Sequence, residues 1–185
     1  MSMKNDFVMP ITVLLFICLF VSGALAVVNS VTNPIIEEAA RIRAAEARKE
    51  IMPQANEFEQ LELESLRSQS NLPRTINEIH RAANNTGYIV MVTVIGYGGP
   101  IRILCGIDMD GRVIRTAILD HNETQGLGTP IFEEPHAGQY WGRDRSGIEE
   151  ITVISGATIT SVALKNAVRD ALIAFEIAAR SRGAR

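Results

Sequence analysis

The chain has 185 residues, of which 46% are hydrophobic, 5% aromatic and 21% charged, with a formal net charge of −3. That balance excludes a disordered tail, a collagen-like repeat and a disulfide-rich mini-protein. The 18 Lys and Arg stand against 21 Asp and Glu and form no basic block, so a nucleic-acid partner has no electrostatic footprint.

Much of the apolar content sits in one block. From Phe7 to Val28 the sequence FVMPITVLLFICLFVSGALAVV carries no charge, and the next charged residue is Glu37. As a helix this block rises about 33 Å, enough to cross a hydrocarbon core of about 30 Å. Residues 1–32 are therefore read as a membrane anchor. The alternative is a signal peptide cut after Ala24-Leu25-Ala26, but the apolar run is longer than a usual signal core and continues through Val27 and Val28. Lys4 and the α-amino group on one flank, against Glu37 and Glu38 on the other, lean towards a cytoplasmic N-terminus. The bulk of the chain then lies on the outer face of the membrane. Beyond the block, roughly 150 residues remain, enough for one globular domain.

Residues 33–74 read as a helical and irregular connector. Asn33 as cap and Pro34 in the first turn open a helix, with Ile35, Ile36, Ala39, Ile42 and Ala45 at helical spacing, and Pro53 ends it. Residues 54–73 show no clear pattern. The domain proper is placed at 75–185. Thr75-Ile76-Asn77-Glu78 has the form of a capping box opening a short helix, with Ile79 and Ala82 on its apolar face. A strand meander follows over 88–95, 101–108 and 112–120, joined by Gly96-Tyr97-Gly98-Gly99-Pro100 and by Asp110-Gly111. Short turns make these strands antiparallel. The long stretch 121–147 is rich in glycine and polar residues and suits a binding site. Ile148 to Ile154 reads as a further strand, and Thr160 to Arg180 as a helix whose apolar face is Leu164, Val168, Ala171, Leu172 and Phe175. The expected fold class is α+β: one transmembrane helix, then a mainly antiparallel twisted sheet with packed helices.

Cys18 lies in the apolar block and Cys105 in a strand-like run, so a disulfide between them is implausible and Cys105 reads as a small core side chain. His80, His121 and His136 lack ligand-like spacing, and no metal site is expected. No residue set resembles a nucleophile with its base, and no GxGxxG is present for a nicotinamide nucleotide.

The most informative segment is Ser155-Gly156-Ala157-Thr158-Ile159-Thr160-Ser161 between the expected last strand and the helix. Small residues allow close backbone approach, and hydroxyls cluster where the first amide N–H groups of a helix lack partners. Ordinary capping and phosphate binding both fit that pattern.

This segment resembles the S/T-G-A-T-x-T flavinylation motif, in which FMN is esterified through its phosphate to the last threonine, here Thr160. His121-Asn122-Glu123-Thr124-Gln125-Gly126-Leu127-Gly128 is similar to the HxETPGLG loop of the same proteins, with Gln125 in place of Pro. Gly96-Tyr97-Gly98-Gly99-Pro100-Ile101 is similar to their Gly-Tyr-x-Gly-Pro-Ile segment. With the single membrane helix, the resemblance is to the G subunits of the Rnf complexes, membrane-bound ferredoxin:NAD oxidoreductases that couple electron transfer to Na⁺ or H⁺ translocation. The related C subunits of the sodium-pumping NADH:quinone reductases share the motif but are typically longer.

The resemblance implies an FMN-binding domain, a non-catalytic electron carrier with covalent FMN on a phosphorylated Thr160, a separate flavin transferase, and other membrane and redox subunits as partners besides the lipid bilayer. It implies that Glu123, Thr124, Leu127 and Gly128 line the flavin bed, with Ser155, Gly156, Ala157 and Thr158 near ring or phosphate. Tyr140 and Trp141 are candidates to cover the ring, with packing as the alternative. Lys165 is either a phosphate partner or a solvated helix residue, and His121 either a flavin donor or a loop brace. A stand-alone covalent flavoprotein of another extracellular electron-transfer chain is the competing function, and a non-redox module with a capped helix the third reading.

Overall fold

The computed structural model describes residues 3–183. Its elements run α1 (Met3–Ile51), β1 (Phe58–Gln60), α2 (Leu63–Gln69), β2 (Ile76–Ala82), β3 (Gly87–Ile95), β4 (Pro100–Asp108), β5 (Val113–His121), two 3₁₀ turns over Thr129–Phe132 and Ala137–Tyr140, α3 (Arg145–Glu149) and α4 (Thr158–Gly183). The chain divides into two compact units at Ile42 and Arg43.

The first unit is helical throughout its described residues. Its large apolar side chains from Val8 to Val31 are exposed, as a helix whose solvent is hydrocarbon requires. The α-amino group used in the orientation argument lies outside the described residues. The expected helix start at Asn33-Pro34 is absent, because α1 continues through both Pro10 and Pro34. Proline's fixed φ is compatible with a helix, and its cost is one backbone hydrogen bond plus local crowding. Asn33, instead of capping, donates its side-chain amide to Glu37 one turn on (3.0 Å).

In the second unit, five strands form an open antiparallel meander in the order β1-β2-β3-β4-β5. Strands β3 and β4 pair along their whole length, from Gly87 opposite Asp108 to Ile95 opposite Pro100. Asp108 shapes the β4–β5 turn by accepting the N–H groups of Asp110 and Arg112, and Gly111 takes the left-handed φ of +78° that the tight turn demands. Both faces of the sheet are covered, so β3 reads as a nearly unbroken apolar run. On one face Tyr88, Val90, Val92, Ile101, Ile103 and Cys105 pack with Leu164, Val168, Leu172 and Phe175 of α4. On the other, Ile89, Met91 and Leu104 pack with Ala44, Ile51 and Met52 from the last turns of α1 and just beyond. Burial pushes the Cys105 thiol up to about 12, which keeps it protonated and chemically quiet.

Two expectations fail here for identifiable reasons. Residues 76–82 are strand β2, not a helix. The register with β3 slips between Ile76 and Glu78, so Asn77 is an extra residue in the strand. That bulge puts Ile76 and Ile79 on the same sheet face although they are three residues apart, the spacing that mimics a helix. Thr75 donates its hydroxyl to Asp170 of α4 (2.8 Å) rather than closing a capping box. Residues 148–154 are not a strand either. Asp144 caps the short α3 by accepting the Gly147 N–H, and the chain then runs irregularly to α4. The backbone groups of that run are satisfied without a neighbouring strand: Lys165 Nζ donates to the carbonyls of Glu149 and Ile151, and the Ile154 N–H donates to Ser161 Oγ. In the unpatterned stretch 54–73, β1 pairs with β2 and α2 follows.

Ile103 is fully buried between β4 and α4. Ile103→Ala is expected to cost about 2–5 kcal/mol of stability, checked by denaturant unfolding of the detergent-solubilised full chain.

Candidate functional site

Three loops of the second unit build the site. The β3–β4 turn supplies Tyr97, the loop leaving β5 supplies Glu123, Thr124, Leu127 and Gly128, and the turn before α4 supplies Gly156 and Ala157, followed by the first residues of the helix. The β3–β4 turn closes on the Gly96 N–H to Gly99 carbonyl bond (2.8 Å). The Thr124 carbonyl accepts the N–H groups of both Leu127 and Gly128, curling the second loop. In the third, Gly156 has φ +88°, which a side chain would strain, and the Ala157 N–H returns to the Ile154 carbonyl.

These loops enclose a cavity of about 410 Å³, within the range of small-molecule sites. Of the residues expected to bind, Glu123, Thr124, Leu127, Gly128, Gly156, Ala157, Thr158 and Thr160 line it, and Ser155 does not. Tyr97 and Ile159 line it too, and sequence reasoning missed both as cavity residues although each sits inside a quoted motif. Tyr97, Leu127 and Ile159 are large apolar side chains left exposed, at 73%, 66% and 55%. They form an apolar surround, while Thr160 and Glu123 are buried and polar.

Glu123 is the centre of the polar part. One carboxyl oxygen, Oε2, accepts the Thr160 hydroxyl (2.9 Å), and the other, Oε1, accepts the Gly98 N–H (3.1 Å). The Glu123 N–H in turn donates to His121 Nδ1 (3.2 Å), whose ring packs against Phe132 with centroids 5.0 Å apart. His121 is therefore a brace for the loop. Three glycines make room for the carboxyl and its backbone. A Cβ on Gly96 would strike Oε1, one on Gly98 would strike the Asn122 carbonyl, and one on Gly128 would lie 2.5 Å from Oε2. The glycine-rich motifs thus hold Glu123 as well as opening space for a ligand. Thr160 and Glu123 meet across 37 residues of sequence, a contact that the spacing of residues along the chain does not reveal.

The other candidates fall elsewhere. Tyr140 is in the core, where burial pushes its phenol up to about 12, and Trp141 packs at the core margin under the Arg115 guanidinium, 4.7 Å from the ring centroid. Neither lines the cavity. Lys165 is committed to the carbonyls after α3 and to Glu149 (3.6 Å). A second, larger cleft of about 660 Å³ lies beside α3 and α4. Its charges are largely self-paired, Arg145 with Glu176 (3.3 Å) and Arg169 with Glu149 (3.7 Å), and it contains none of the motif residues. Among the described residues no group of three or more His, Cys, Asp or Glu could hold a metal ion.

Residues 96–173, spanning all three loops, match the FMN-binding domain family. The chain is 30% identical over 174 residues to the G subunit of the Na⁺-translocating ferredoxin:NAD⁺ oxidoreductase complex of Acetobacterium woodii, covering 83% of this chain and 84% of the relative. It belongs to the G-subunit family of ion-translocating oxidoreductase complexes. The G subunit of the proton-translocating ferredoxin:NAD⁺ oxidoreductase complex of Clostridium ljungdahlii is 27% identical, covering 89% of this chain and 90% of that one. The G subunit of the ion-translocating oxidoreductase complex of Methanosarcina acetivorans is 28% identical, covering 93% and 96% respectively.

The cavity fits the cofactor named by the domain. A flat ring system needs apolar surroundings, which Tyr97, Leu127 and Ile159 offer, and a phosphate is favoured beside the first turn of α4, where amide N–H groups and the helix dipole present positive charge.

Gly98→Ala is expected to force the Asn122–Glu123 backbone to shift, lowering the thermal midpoint of the solubilised chain more than Gly126→Ala. At Gly126 the cost is only the left-handed φ of +81°, about 1–2 kcal/mol. Equal midpoints for the two variants would show that the Gly98 contact is not a constraint.

Proposed function

We propose that this chain is the flavin-bearing electron-relay subunit of an ion-translocating ferredoxin:NAD oxidoreductase, with FMN joined through its phosphate to Thr160. The observation that carries the reading is the convergence of residues 156–160 and of Glu123, Thr124, Leu127 and Gly128 on one cavity with an apolar surround. FMN supplies the redox chemistry when bound. The residues of this chain position it and set its surroundings.

Each element then has a role. The cavity wall formed by Tyr97, Leu127 and Ile159 shelters the ring from water. The N-terminal turn of α4 offsets the charge of a phosphodiester without an arginine clamp. Lys165, whose ammonium is occupied at the end of α3, contributes nothing to that charge balance. A covalent tether keeps the cofactor's effective concentration permanent, which matters on an outer membrane face, where a released flavin would be diluted.

The exposed apolar segment of α1 anchors the subunit in the bilayer. The acidic Glu37 and Glu38 on its C-terminal flank, against Lys4 on the other, favour a domain outside the cytoplasm. Attachment there requires a separate flavin transferase. Electrons enter and leave through redox groups of neighbouring subunits, packed beside α1, where Gly23 and Ala24 permit close helix contact.

Co-expression with a flavin transferase should give a band that fluoresces under ultraviolet light after denaturing electrophoresis. Thr160→Ala should be dark and Thr158→Ala should remain bright. Fluorescence persisting in Thr160→Ala would rule out the attachment site.

A further inference from the structure

Four hydroxyl residues lie between 155 and 161, and they are not equivalent. Ser155 and Thr158 are exposed. Ser161 is buried, and its oxygen accepts the Ile154 N–H (3.2 Å). Thr160 alone of the four donates to a carboxyl group, Glu123 Oε2 at 2.9 Å, and it does so while 1% exposed and lining the cavity.

The carboxyl is not there by accident of a flexible side chain. Glu123 is 8% exposed, its second oxygen is held by the Gly98 N–H, and its backbone N–H is fixed on His121. Three positions around it, Gly96, Gly98 and Gly128, leave no room for a Cβ. A hydroxyl oxygen, a base within hydrogen-bond reach and a third group orienting that base are the parts of an activated nucleophile.

We propose that Glu123 is the general base of this chain's own modification, and that it selects Thr160 over the neighbouring hydroxyls. The proposal rests on the reading that FMN is joined to Thr160. In the step, Thr160 Oγ1 attacks the flavin-side phosphorus of a flavin adenine dinucleotide presented by the transferase. The Oγ1–P bond forms as the bond from that phosphorus to the bridging oxygen breaks. Adenylate leaves with the bridging oxygen, and the Thr160 proton passes to Glu123 Oε2. No electrons change hands. The geometry accounts for the choice of a buried threonine: the exposed hydroxyls of Ser155 and Thr158 are easier to reach but have no base beside them, and selection follows the carboxyl rather than exposure. Because Thr160 is buried, the phosphorus must reach it through the cavity, so the flavin is left in its bed as the bond forms.

The experiment is the rate of flavin labelling of the detergent-solubilised full chain by purified transferase with excess flavin adenine dinucleotide. It is followed by in-gel fluorescence and intact mass. Glu123→Gln keeps the side chain's shape and one of its two acceptor oxygens but not its basicity. It is expected to slow labelling by about 10²- to 10⁴-fold. Glu123→Asp, which keeps a displaced carboxyl, should recover part of the rate, and Thr160→Ser should still be labelled. Labelling of Glu123→Gln at the wild-type rate, or equal slowing by Gln and Asp, would overturn the assignment and leave Glu123 a structural residue. Flavin found on Thr160→Ala would fail the attachment reading instead, a result that Glu123 variants cannot produce.

Discussion

A carboxyl group taken out of water is costly unless its oxygens find donors, and the site is arranged around meeting that cost at Glu123. The Gly98 N–H satisfies one oxygen and the Thr160 hydroxyl the other. This places three distant pieces of chain in fixed relation: the β3–β4 turn, the loop leaving β5 and the first turn of α4. The cavity is what remains between them. Any displacement of Glu123 therefore acts on the walls of the flavin site and on the hydroxyl at once.

The sheet makes this possible by being covered on both faces. With α4 packed on one side through Leu164, Val168, Leu172 and Phe175, the N-terminal turn of that helix comes to rest beside the loop leaving β5 and shares a cavity with the β3–β4 turn. The last turns of α1 cover the other side through Ala44 and Ile51. A domain of this size buries enough apolar surface to hold such an arrangement without disulfides or metal, and both cysteines are free. The loops at the strand ends are then left to form the cavity, with Tyr97, Leu127 and Ile159 in the open around it.

The same segment supplies the helix turn that favours a phosphate and the hydroxyl proposed for its attachment. In an ordinary helix the first-turn donors are met by a capping side chain. Here Ser161 turns its oxygen back to the Ile154 N–H, and Thr160 turns its own towards Glu123. Two of the four hydroxyls in 155–161 are thus put to different uses, Ser161 on the backbone and Thr160 on a carboxyl, a division that composition alone does not express.

Local sequence determined the apolar span of α1, the meander from β3 to β5 with its Asp110-Gly111 turn, the apolar face of α4 and the membership of the glycine-rich motifs. Each of these rests on a periodicity or a backbone preference that neighbouring residues carry by themselves. Residues 76–82 were misleading because a single inserted residue, Asn77, gave a strand the three-residue spacing of a helix, and only pairing with β3 reveals the bulge. Residues 148–154 have strand-like composition, but the Ile151 carbonyl is claimed by Lys165, 14 residues on, and the Ile154 N–H by Ser161, 7 residues on. Tyr97 and Ile159 join the cavity, and Glu123 meets Thr160, only when the sheet and α4 bring their loops together. Those contacts depend on distance in space, which the tertiary packing decides and the order of residues along the chain does not contain.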